Sequence, residues 1–154
     1  MLLVGVGNPM RGDDGAGPEV ARRLANLHVE GLVVATGTEP LALLSELTQP
    51  TAYDGVVVVD ATAPRADPGR VRVLRESDGG WAVPTSPVAS HALGLAEVLE
   101  LARALGLLPP YLTVVGVEGT CFDLGADLSE PVREGVEEAV AVVAGIAAAR
   151  ADRT

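Results

Sequence analysis

The chain has a single cysteine, Cys121, which cannot close an internal disulfide or build a cysteine metal cage and makes the cytoplasm the expected compartment. Lysine is absent, so all 11 basic residues are arginine; we read that as codon-composition bias and attach no chemistry to it. Positive charge is scarce: 21 acidic residues leave a formal net charge of −10 and a pI near 4.5. Nucleic acid and anionic membrane surfaces are excluded as partners on that ground, because the electrostatic term that drives phosphate binding has the wrong sign. Long apolar runs are missing as well. Mean hydropathy is +0.32, yet the longest apolar run, residues 139–149, is broken by Gly145 and falls short of the about 20 residues that a spanning helix needs. No charged segment followed by an apolar one opens the sequence, so no secretion signal is expected. Neither G-x-S-x-G nor H-E-x-x-H occurs, which leaves serine-hydrolase and helix-borne zinc-protease chemistry without a footing.

What is present is concentrated in G-V-G-N-P-M-R-G-D-D-G-A-G, residues 5–17. An apolar run, residues 1–4, precedes it, and helically spaced apolar residues and arginines follow from Pro18, which suits a first helical position because its missing N–H is unpaired there anyway. Strand, glycine turn and helix in that order mark the place where α/β proteins put their sites. A dinucleotide loop is the obvious reading, and the acids oppose it. Met10 stands where the fingerprint wants its third glycine, and Asp13 and Asp14 lie where a pyrophosphate would dock on the helix. Two carboxylates attract a cation there, or accept hydrogen bonds from the free N–H groups of the helix start.

The remaining pattern alternates strand and helix. Residues 31–35 read as a short strand and 41–47 as a helix after the breaker Glu39-Pro40. The run Gly55-Val-Val-Val-Val-Asp60 has no polar interruption, as a strand buried on both faces requires, so the sheet is mainly parallel with helices on each side. Residues 70–75 alternate arginine with apolar residues after the turn signal Asp67-Pro68-Gly69. They follow the previous strand too closely for a helical crossover and are predicted to run antiparallel at an edge, where arginines discourage pairing with another chain. Residues 78–90 are predicted as a loop, 91–105 as a helix ended by Gly106 and Pro109-Pro110, 111–117 as a buried strand, and Ser129 as the N-cap of a last helix reaching about residue 150. The expected fold is α/β: a three-layer sandwich with a five-stranded, mostly parallel twisted sheet, one antiparallel edge strand, and helices on both faces. One domain spans residues 1–154.

In such a sheet ligands bind beyond the carboxyl ends of the strands, where the connections diverge. Asp14 follows the first strand, Asp60 ends the third and His91 opens a helix, so all three reach one end of the sheet. Two carboxylates and an imidazole suit zinc or nickel and leave positions open for water or substrate. A helix N-terminus also disfavours protonation of His91, which keeps a ring nitrogen available as a ligand. Each has a plainer alternative: Asp60 as the acid that caps the turn after a strand, His91 as a residue packed on the loop. Glu118 is placed to line the same crevice, Cys121 reads as a packing residue, and His28, at the end of the first helix, carries little functional weight.

Together the opening motif, V-V-V-V-D-A at 56–61, Ser90-His91 at a helix start, and G-V-E-G followed by F-D-L-G-A-D-L-S-E-P-V resemble the hydrogenase maturation protease family over nearly the full chain. The resemblance implies an endopeptidase that removes a short C-terminal extension from the large-subunit precursor of a nickel-iron hydrogenase after nickel insertion. The family's metal-contacting residues fall on Asp14, Asp60 and His91, which are therefore the candidate catalytic and metal residues. The metal implied is nickel supplied by the substrate, with zinc or another divalent ion able to take the same place, and Asp13 is open to a role as base. The loop Ala35-Thr36-Gly37-Thr38-Glu39-Pro40 departs from the D-G-G-T that many relatives resemble, which bears on which hydrogenase is the partner. Two other classes stay in view: a noncatalytic nickel-binding maturation chaperone and a Rossmann-like nucleotide-binding protein.

Overall fold

The run of four valines becomes the middle of β3 (Gly55–Thr62), in which every residue is buried. The computed structural model describes residues 1–49, 53–75 and 94–153. Around β3 lie β1 (Leu2–Val6), β2 (Val33–Gly37), β4 (Val71–Arg75) and β5 (Tyr111–Glu118), in the order β2-β1-β3-β5-β4. All pairs are parallel except β4 with β5, where Val73 stands opposite Val115 in an antiparallel ladder at the edge. The strand period of two then sorts the side chains. Leu3, Val57, Val59, Val115 and Val117 pack against α1 (Ala16–Leu27) and α4 (Glu130–Ala151) on one face. Leu2, Val4, Val56, Val58 and Val114 pack against α2 (Ala42–Leu47) and α3 (Leu95–Ala104) on the other. This is the expected α/β sandwich, and among the described residues no helix is long and apolar enough to cross a membrane.

Several boundaries differ from the sequence reading, each for a local reason. One turn of 3-10 helix (Gly12–Gly15) runs directly into α1, so Pro18 is the third residue of that helix and not its first, still within the first turn where a missing N–H is tolerated. β1 extends to Val6 and β2 is displaced to Val33–Gly37, because Gly5 and Val6 pair with Thr36 and Gly37. β3 continues to Thr62, so Asp60 lies inside the strand, opposite Gly116, and does not end it. The predicted loop 78–90 and the predicted helical residues 91–93 lie outside the described residues. α1 closes on His28, whose left-handed backbone (φ 49°) forms the C-cap, a structural duty in keeping with its low functional weight.

Sheet topology places the site. From β1 the chain passes through α1 to β2 on one side, while β3 lies on the other side of β1. The connections therefore diverge between β1 and β3, and the crevice beyond their carboxyl ends is where α/β sheets bind ligands.

Candidate active site

Asp14 and Asp60 come together in that crevice. Their approach depends on Gly17, because a Cβ there would overlap the carbonyl oxygens of both Val6 and Val59; with only hydrogen at this position the start of α1 lies directly on β1 and β3. Gly7, at φ +136°, turns the chain in a conformation that L side chains rarely adopt. Past that turn, the N–H of Asn8 donates to Oδ2 of Asp14 at 2.7 Å, and Oδ1 of Asn8 accepts from the N–H of Met10 at 2.9 Å. Asn8 is thus a positioning residue that the sequence reading passed over; its signal was the Asn-Pro dipeptide, a turn initiator.

Both carboxyl groups are nearly removed from water, Asp14 at 7% and Asp60 at 6% exposure. Burial pushes Asp14 above the ordinary aspartate range, while the Asn8 N–H and the Arg11 guanidinium pull it back. Asp60 is pushed up to about 8 by burial and then by the charge of Asp14, against a backbone hydrogen bond from Ala61. Asp60, raised by burial and by the charge of Asp14, therefore keeps its proton at neutral pH where no counter-charge is supplied. Among the described residues no cluster of three or more metal-ligating side chains occurs. The carboxylate pair supplies two oxygens, and His91 lies outside the described residues.

Asp13 points elsewhere. It is fully buried and its carboxylate accepts the N–H groups of Thr120 (2.8 Å), Cys121 (2.9 Å) and Ser129 (2.7 Å) together with the Ser129 hydroxyl (2.9 Å). With four donors on it, Asp13 is a clamp on the loop between β5 and α4 and is badly placed to serve as a base. Ser129 is the N-cap residue of α4, as its sequence position suggests, but its side chain makes no cap hydrogen bond to the helix; the hydroxyl goes to Asp13. Further backbone bonds join the same two loops, from Gly12 to Ala126, Asp13 to Cys121 and Gly125 to Met10.

Glu118 does not line the crevice with a free carboxylate. Its Oε1 accepts from the N–H groups of Arg65 and Asp67 and its Oε2 pairs with Arg72 at 3.1 Å. Burial opposes ionisation there, but these three donors outweigh it and the net direction is down. Cys121 is partly buried, with its backbone N–H on Asp13 and its thiol 3.7 Å from the Asp123 carboxylate.

A family model described as hydrogenase maturation protease matches residues 18–146, an interval that contains Asp60 and His91 and begins just after the Asp14 loop. The chain is similar to the Hydrogenase 2 maturation protease of Escherichia coli, with 29% identity over 91% of this chain and 85% of that protein. It is also similar to the hydrogenase expression/formation protein HupM of Azotobacter chroococcum, with 29% identity over 97% of this chain and 72% of that one. Among solved structures, the hydrogenase maturating endopeptidase HybD from Escherichia coli superimposes with a TM-score of 0.67 at 27% identity, covering 92% of this chain and 88% of that one.

Proposed function

The chain belongs to the hydrogenase maturation protease family, and from that premise we propose that it is the endopeptidase that removes a C-terminal extension from the large-subunit precursor of a nickel-iron hydrogenase after nickel has been inserted. The observation that carries the nickel dependence is the buried pair Asp14 and Asp60, two carboxyl groups forced together at the topological switch point. Such a pair is costly when both are ionised and gains most from a divalent ion.

In this reading the nickel arrives with the substrate. Asp14 and Asp60 are the chain's oxygen ligands to it, and His91 is the third donor. A divalent ion so placed supplies Lewis-acid polarisation of the scissile carbonyl or activation of a water. An incomplete ligand set does nothing until the precursor brings its ion, which makes cleavage conditional on cofactor loading. Zinc, or another ion of similar preference, is able to take the same oxygens in vitro.

The test is a processing assay with nickel-loaded and nickel-free precursor of a hydrogenase large subunit from the same organism, following the mass of its C-terminus. We expect loss of a short peptide from the loaded precursor alone, and no processing by Asp14→Asn or His91→Ala despite retained folding. Equal cleavage of both precursors would remove the nickel checkpoint. Nickel-dependent binding without cleavage would favour a noncatalytic carrier.

A further inference from the structure

Arg11 is the only cation in the loop that carries Asp14. Its Nε is buried and, among the described residues, has no hydrogen-bond partner. The surroundings make this conspicuous: the loop backbone is bonded to Asn8, Cys121 and Ala126, and Asp13 is saturated by four donors. A guanidinium has N–H donors and no acceptor, so what Nε lacks is an oxygen.

Two neighbours bear on its source. Met10 is 63% exposed and Leu124, on the facing loop, 72% exposed. The N–H of Gly125 donates to the carbonyl of Met10 at 2.8 Å, and the Asp13 clamp holds both loops. The chain thus keeps two large apolar side chains in water on a braced lip beside its acidic crevice, an arrangement typical of a binding edge. An incoming acidic group is repelled by the overall charge of −10; a neutral carbonyl oxygen is not.

We propose that Arg11 is a substrate-positioning residue that donates a hydrogen bond to a main-chain carbonyl of the precursor, while Met10 and Leu124 hold an apolar side chain of the same extended segment. This rests on the protease reading above, and it adds the edge of the site on which the precursor lies before cleavage.

The experiment measures precursor binding and cleavage separately, using the nickel-loaded precursor, fluorescence anisotropy for Kd and peptide release for kcat and KM. For Leu124→Asp we expect Kd and KM to rise about tenfold with kcat within about twofold, the pattern of a lost uniform binding contact; for Arg11→Gln the same rise is read in Kd alone, because Arg11 also acts on the ionisation of Asp14. Arg11→Lys should recover part of the loss, and Leu124→Asp, at a position 72% exposed, should melt within about 2 °C of the wild type, since surface changes cost little stability. Wild-type Kd in both variants would overturn the inference, as would a fall in kcat at constant KM for Leu124→Asp. A wild type that binds precursor without cleaving it defeats the protease reading and leaves the Kd comparison to decide this one. A wild type that neither binds nor cleaves defeats both.

Discussion

Asp13 commits its carboxylate to donors from Thr120, Cys121 and Ser129, while Asp14, one residue later, accepts from Asn8 inside the crevice and raises Asp60. The two should respond oppositely to the same substitution. An amide at Asp13 turns a donor group toward four donors, so Asp13→Asn should cost about 3 kcal/mol or more. For a domain of this size that lowers Tm by on the order of 8 °C. Asp14→Asn removes a charge from a buried site and should leave Tm unchanged or raised. Thermal denaturation of the two variants decides it, and a wild-type Tm for Asp13→Asn would show that the clamp contributes no net stability. This division of labour was not legible in the sequence. Adjacent aspartates in a glycine turn signal a site, but which of them faces it depends on Ser129, 116 residues further along. The same limit hid Glu118: its carboxylate is claimed by Arg65, Asp67 and Arg72, contacts set by how β4 folds back on β5.

At the scale of elements, the site depends on how closely α1 lies on β1 and β3. Gly17→Ala places a methyl group against the carbonyl oxygens of Val6 and Val59, which are backbone and cannot rotate away. The helix start must lift, and overpacking of this kind costs roughly 1–3 kcal/mol or more. Because only Gly15 separates Asp14 from α1, activity should fall by more than the stability loss accounts for; full activity in a stably folded Gly17→Ala would refute this coupling. The elements themselves were largely legible. Uninterrupted valines announced a strand buried on both faces, strict alternation with arginine announced β4, and the short gap between them predicted its antiparallel pairing at the edge, as found. What was missed lies at the ends. Strand lengths follow their partners, so β3 and β5 extend together to Thr62 and Glu118, and no property of residues 61 and 62 alone declares that. The start of α1 was misplaced at Pro18 because the 3-10 turn through Gly12–Gly15 has no hydrophobic period by which to find it.

For the whole molecule, ionisation couples the site to overall stability through two opposing slopes. Glu19 is drawn down to about 2 by its hydrogen bond to Arg22, against the burial that raises it and with further help from Arg23; Glu118 also lies below the ordinary glutamate range. Their unfolded forms take up protons first, so the stability they give is present above pH 4.5 and, for Glu19, is lost as pH falls through about 2. Asp60 acts in the other direction. Between pH 3.8 and about 8 the folded chain keeps a proton that the unfolded chain has released, so stability declines as pH rises through that window. Together these slopes predict greatest stability on the acid side of neutrality, around pH 5. Asp60→Asn removes the alkaline slope alone: its Tm should match the wild type near pH 4 and exceed it by on the order of 10 °C at pH 9. On the proposed function a divalent ion between Asp14 and Asp60 would supply the missing counter-charge, so saturating nickel at pH 8 should raise the Tm of the wild type and leave that of Asp60→Asn nearly unmoved. Melting curves from pH 3 to 9 for both proteins make the comparison. Parallel profiles would mean that Asp60 ionises in the folded chain as it does in the unfolded one, and the carboxylate pair would lose its standing as a cation site, because a pair already comfortable with its charges has little to gain from the nickel of the precursor.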